Sequence, residues 1–312
     1  MIRYALATLM GCLIVNVAMV AHVHGWQEKE KSAKEPSPLI GKQVMTTKWN
    51  AEFKLEKKVV DQVDMGRVFE VDNVSGGWLH VLGKSGWISA ADVVPLEKAE
   101  LHFNIELRKS EEASAYHHRG LAYNGLEEFD KAIKDFDEAI KRSPKEAAYY
   151  NSRGFAYHRK GDYEKALADY TKAIELDAKN AGFINNRGIL YRDMGQYEKA
   201  VADYDAAIKL APYFPEAYNA RSWLRSTCPD EKFIDAKQAL EDAKRACNFT
   251  NWRDDVPLGT LSAAYARTGD FEQAKKWLTS AKSIHPNRLQ EKRAEMMKQF
   301  GESKPYVENP KS

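Results

Sequence analysis

The chain has 312 residues, room for about two domains at ~150 residues each. With 44% hydrophobic and 29% charged residues it can build cores, which excludes disorder over most of its length. Its 47 basic and 45 acidic residues leave a formal net charge of +2. No basic excess or stripe is visible, which argues against a nucleic-acid binder.

The N-terminus reads as an export signal. Arg3 provides a short positive region, and Tyr4 to Val20 is nearly all apolar, broken by Thr8, Gly11 and Asn16. Val23, His24 and Gly25 follow at plausible cleavage positions. The apolar run is somewhat long for a signal and somewhat short for a spanning helix. Residues 1–25 are therefore expected to be a signal peptide or an uncleaved inner-membrane anchor over 4–23, placing the protein in the periplasm, outside the cell or on the inner membrane. Leu9-Met10-Gly11-Cys12 resembles a lipobox, but the apolar run continues past Cys12, which argues against lipidation. After cleavage only Cys228 and Cys247 remain. Residues 26–38, charged and with two prolines, read as a flexible linker.

Residues 39–96 change character. Val44-Met45, Val59-Val60, Val68-Phe69-Glu70-Val71, Trp78-Leu79-His80-Val81 and Gly86-Trp87-Ile88 are short β-favouring runs. Ser75-Gly76-Gly77 and Gly83-Lys84-Ser85-Gly86 separate the later ones as hairpin turns do. The spacing predicts five or so strands in a small β-barrel. Gly77-Trp78-Leu79-His80-Val81, then Gly86-Trp87-Ile88 and Val93-Val94-Pro95-Leu96, resemble bacterial Src-homology-3-like domains. Trp78 and Trp87 are then either core residues or the walls of a ligand groove. Binding of peptide or peptidoglycan there follows only by analogy.

From Leu96 onward the text becomes helical and repetitive. Arg119-Gly120, Arg153-Gly154 and Arg187-Gly188 recur at intervals of 34, with Arg221-Ser222 one interval later. Tyr123, Tyr157 and Tyr191 share the period, as do Ala132, Ala166 and Ala200, then Phe136, Tyr170 and Tyr204, then Ala139, Ala173 and Ala207. Glycine inside a helix costs ~1 kcal/mol relative to alanine. Its recurrence predicts close helix–helix approach at that point. Gly125, Gly161 and Gly195 fall at or near the turns within each unit. Weaker units follow: Pro215 to Thr227 and Asp235 to Cys247 pair across a turn widened by Cys228-Pro229-Asp230-Glu231, and a fifth begins near Asp255. Glu97 to Ser110 reads as a lone helix before the first unit, Arg288 to Phe300 as a closing helix, and residues 301–312 as a frayed tail. Cys228 at a turn and Cys247 near the far end of the following helix lie about 20 Å apart at ~1.5 Å per residue, too far for a disulfide.

A 34-residue period with small and aromatic residues at these places resembles the tetratricopeptide family. That implies a mainly α fold, a right-handed solenoid of helical hairpins over residues 97–300, preceded by the small all-β barrel at 39–96. In that family the first helices line a concave face that holds an extended peptide or partner helix. The resemblance assigns His117, Asn151, Asn185 and Asn219 to one row of the face and His118, Ser152 and Asn186 beside it. Leu121, Phe155, Ile189 and Trp223 form an apolar row one turn on. Chaperone-binding relatives grip a C-terminal carboxylate with lysines and asparagines. Asn186 matches one such asparagine, but His118 stands at the first-unit position and the expected lysine is missing.

No constellation supports an enzyme or a cofactor. His-Glu-x-x-His and paired Cys-x-x-Cys motifs are absent. Gly83-Lys84-Ser85 mimics the end of a phosphate loop, but the upstream glycine is replaced by Trp78. His117-His118 are adjacent on a helix and point about 100° apart, so they do not chelate a metal together. Arg119, Arg153, Arg187 and Arg221 share a period with Asp135, Asp169 and Asp203. That predicts Arg–Asp pairs between helices rather than a basic stripe for acidic peptides. The expectation is an exported, non-enzymatic scaffold that holds a protein or peptide partner in the solenoid groove. The alternative is a cell-wall-associated protein whose barrel binds peptidoglycan and whose solenoid is a spacer.

Overall fold

A computed structural model describes residues 39–308 except 40, 48–50, 56–57, 64–67, 82–85 and 287. The expected signal or anchor at 1–25, the linker at 26–38, the Gly83-Lys84-Ser85 turn and residues 309–312 lie outside the described residues.

Seven strands among the described residues form one antiparallel region. They are β1 (Gln43–Thr46), β2 (Ala51–Leu55), β3 (Lys58–Val63), β4 (Val68–Ser75), β5 (Trp78–Val81), β6 (Trp87–Ser89) and β7 (Val93–Pro95). Their order is β3-β2-β6-β5-β4-β1-β7. Val44, Ala51, Phe53, Val71, Leu79, Val81 and Ile88 make its core, with Phe53 edge-on to Phe69 at 5.6 Å. The period of two along a strand sends neighbouring side chains to opposite faces. Val44 therefore enters this core, while Met45 enters a second cluster with Leu96, Ala99, Phe103 and Ala122. Met45, with Val94 of β7 packed beside it, joins the sheet to the helices.

The helices follow as α1 (Leu96–Lys109), then the hairpins α2 (Ala113–Gly125) with α3 (Phe129–Arg142), α4 (Ala147–Lys160) with α5 (Tyr163–Leu176), and α6 (Ala181–Asp193) with α7 (Tyr197–Leu210). A fourth hairpin pairs α8 (Pro215–Thr227) with α9 (Ala236–Phe249). A short 3-10 turn, Glu231–Phe233, occupies the insertion between them. The fifth pairs α10 (Asp255–Arg267) with α11 (Phe271–Ile284), and α12 (Gln290–Gly301) closes the array. The lone first helix and the closing helix expected from the sequence are both present. Proline at the first position of α8 costs no hydrogen bond, because that N–H has no helical partner. Asp235, Asp254 and Asp270 cap α9, α10 and α11 through their side chains.

Small residues bring the paired helices together. A Cβ on Gly120 would stand 2.5 Å from the Phe136 ring, one on Gly154 3.0 Å from Tyr170, and one on Gly188 2.7 Å from Tyr204. The ring each glycine accommodates is thus the second-helix aromatic. Ser222 replaces glycine in the fourth hairpin, and its hydroxyl donates to the Ala239 carbonyl at 2.7 Å. No helix among the described residues is long and apolar enough to cross a membrane.

Candidate partner-binding groove

The arginine ladder is structural, as its shared period with aspartate suggested. Arg119 grips Asp135 with two bonds of 2.7 and 2.6 Å, Arg153 grips Asp169 at 2.8 and 2.7 Å, and Arg187 grips Asp203 at 2.8 and 2.8 Å. Arg221 pairs with Asp242, because the insertion shifts the register of α9. The remaining nitrogens reach the preceding repeat: Arg153 donates to Asp137 and Arg221 to Asp205, each at 2.6 Å. The guanidiniums thus tie helix to helix and repeat to repeat, which leaves them unsuited to capturing a ligand.

The first-repeat residues assigned to the groove are mostly packing. His117 and His118 are buried. The His117 ring lies 4.7 Å from Tyr149 and its Nε2 is 2.9 Å from Ser152 Oγ. Burial, then the neighbouring His118, pushes the His117 pKa down to about 3; burial pushes His118 down to about 4. Leu121 packs between the α1 and α3 clusters. Asn151 is held by Asn186, whose Nδ2 donates to its Oδ1 at 2.9 Å. Phe155 is exposed with Arg159 over its ring. His117 and His118 do not line the cavity described next; the His117 ring instead packs on Tyr149 of the following repeat.

A cavity of about 1360 Å³ opens farther along the array. Asn185, Asn186, Ile189, Asn219 and Trp223, from the three rows that the resemblance assigned to the concave face, line it. Val256, Gly259 and Thr260 of α10 continue the wall, and Gly259 faces open space. Gln43 and Phe69 border it at the sheet, and Met296 at α12. The carbonyl oxygens Oδ1 of Asn185 and Asn219 are buried and lack a hydrogen-bond partner among the described residues. A buried unpaired acceptor costs roughly 1–3 kcal/mol, so these two invite a donor. At the far end Asp255, fully buried, accepts from Arg288 and Arg293 and lies 2.7 Å from His285 Nδ1. These contacts tie α12 to α10.

Nothing in the sequence pattern hinted at what lies inside the groove. The tail was expected to fray, but its described part returns to the array. Glu308 N–H donates to the Thr227 carbonyl at 2.8 Å, and the Glu308 carboxylate meets Trp223, Lys292 and Arg192. Arg192 was also missed. It lies at the period-34 position shared with Asn124 and His158, a row that spacing alone could have flagged.

On the sheet, Trp78 is 38% exposed with Lys54 above its ring at 6.0 Å. Trp87 is half-buried and edge-on to His80 at 5.4 Å. Neither belongs to the core cluster, so the core alternative for these tryptophans fails, at Trp78 most plainly. Cys228 and Cys247 are free and buried in separate clusters, and burial pushes the Cys247 thiol up to about 12. No group of three or more potential metal ligands occurs among the described residues.

The sequence profile of the tetratricopeptide repeat family matches residues 113–146, 147–180 and 183–214, the three regular hairpins. The chain is a tetratricopeptide repeat protein. Among solved structures it is similar to a chain of the Cut9–Hcn1 hetero-tetramer of the APC/C, at 15% identity and TM-score 0.59 over 66% of this chain and 40% of that one. It thus spans less than half of that relative. It is also similar to TTC0263, a thermophilic tetratricopeptide protein of Thermus thermophilus, at 15% identity and TM-score 0.51 over 61% of this chain and 98% of that one. The Arabidopsis OM64 tetratricopeptide domain is 30% identical over 35% of this chain and 89% of its own, with TM-score 0.33. No curated protein matches the chain.

Proposed function

We propose that this tetratricopeptide protein is an exported, non-enzymatic scaffold that holds a partner peptide in the groove between Asn185 and Met296. Proteins of this fold serve as protein-interaction scaffolds. One observation carries the finer reading: Asn185 and Asn219 present unpaired buried carbonyl oxygens on a wall that also offers Ile189 and Trp223. An asparagine amide meets a peptide backbone as donor or acceptor, and an apolar strip beside it adds non-directional affinity. The apolar N-terminal run supports export. Asn185→Leu with Asn219→Leu keeps volume and removes both amides. Partner recovery from an extract of the source envelope should fall at least about tenfold, a loss of ~1.4 kcal/mol, with helical circular dichroism unchanged. Undiminished recovery would sink the groove reading.

A second reading rests on Trp78, an exposed ring beside Lys54 on the outer sheet. It makes the β region a cell-wall contact and the repeats a spacer. Full-length chain should then co-sediment with purified peptidoglycan, and Trp78→Ala should not. Failure of the unaltered chain to sediment removes this reading.

A further inference from the structure

Past α12 the backbone turns at Ser303, whose φ is 55°, and the segment to Glu308 enters the groove. Three helices converge on the Glu308 carboxylate. Trp223 Nε1 of α8 donates to Oε2 at 2.6 Å, Lys292 Nζ of α12 donates to Oε1 at 2.9 Å, and Arg192 Nε of α6 lies 3.9 Å from Oε2. Burial would raise this carboxyl, but Arg192 and Lys292, with the two hydrogen bonds, outweigh it and hold the group below its usual range. Two residues earlier, the Tyr306 ring stands 5.9 Å from Trp223 and packs beside Met296 and Phe300. Lys292 Nζ sits 4.0 Å from the Trp223 ring centre and 5.8 Å from that of Tyr306.

A strap needed only to cover the apolar end of the array would require Tyr306 and nothing more. The carboxylate instead meets a built receptor: two cations and an indole N–H from three helices, with a backbone bond to Thr227 setting the register. Both side chains meet Trp223 and Lys292, so one aromatic and one carboxylate at that spacing are read together. Trp223, which the sequence places in the groove row, serves both.

We infer that this subsite selects the partner: the groove takes a peptide with an aromatic residue two positions before a glutamate, and Tyr306-Val307-Glu308 is a resident copy of that signal which the partner displaces. The inference rests on the groove reading above. The probe is a fluorescent peptide of residues 304–312, followed by polarisation against the full chain. In the chain carrying Tyr306→Ala and Glu308→Gln the tail is released. That chain should bind the peptide at least about tenfold more tightly than the unaltered one, because a mostly closed site lowers apparent affinity by its open fraction. Binding should be lost when the peptide's own glutamate becomes glutamine, and when Arg192→Gln and Lys292→Gln are added to the released chain. Equal binding by the two chains, or none by either, overturns the inference. So does loss of helicity on releasing the tail, which would make the segment a structural strap. The two readings fail separately. If Asn185→Leu with Asn219→Leu abolishes partner recovery and releasing the tail leaves it unchanged, the groove stands without the tail's role. If recovery responds to neither, the groove itself falls.

Discussion

At the residue scale, the same position does different work in different repeats. Asn185 faces the cavity, while its first-repeat counterpart His117 is clamped between Tyr149 and Ser152. That clamp makes acid stability a property of two side chains. His117 and His118 have folded pKa values lowered from 6.5 to about 3 and about 4. Between those values and 6.5 the unfolded chain binds protons that the folded chain does not, so stability rises with pH there and is lost as pH falls. Lowering the pH from 7 to about 5 should cost about 2 kcal/mol for each imidazole, on the order of 4 kcal/mol together, in urea denaturation. Giving the first repeat the second repeat's residues, His117→Asn with His118→Ser, should flatten that slope. An unchanged slope would show that these imidazoles are not the groups that matter.

At the element scale, every hairpin turn except that of the fourth hairpin, where the insertion sits, uses one left-handed residue. Gly161, Gly195 and Gly269 occupy it with φ of 85°, 72° and 86°. The backbone bond from the next residue to the Tyr157, Tyr191 and Tyr265 carbonyls is the same each time. In the first repeat that place belongs to Glu127, with φ 60°, although Gly125 is the glycine the sequence offers. A side chain there costs roughly 1–2 kcal/mol, partly offset because glycine loses more freedom on folding and because Glu127 pairs with Arg159 at the surface. Glu127→Gly should therefore stabilise the chain by about 0.5–1 kcal/mol, seen as a higher urea midpoint at constant slope; a lower midpoint would contradict the balance. Contacts bound to the 34-residue period were legible in the sequence. The close helix approach at Gly154 and the pairing of Arg153 with Asp169 could be read before any coordinates, because each is written three times, whereas the Tyr170 ring as the glycine's neighbour could not. Tyr306 and Glu308 occur once, outside the period, and nothing local marks them as contacts of Trp223.

At the scale of the whole molecule, the array is a chain of neighbours in which each hairpin packs on the next. Its N-terminal face is covered by α1 and, through Met45, by the sheet. Met45→Ala empties a fully buried site and should cost ~2–5 kcal/mol. In a one-dimensional array that loss stays near its source. Hydrogen exchange should accelerate in β1, α1 and α2 and remain slow in α10 and α11; a uniform acceleration would refute such local coupling. The legible part at this scale was the order of the pieces, since linear patterns report linear neighbours. The groove's boundaries were not legible, because Phe69 and Met296 border one cavity from opposite ends of the sequence. That pairing has a consequence for evolution. On an unbounded solenoid an added repeat lengthens a track and leaves the old guest in place. Here the cavity is bordered at each end, by Phe69 and by Met296, so a duplicated hairpin would move those borders apart and change what fits between them.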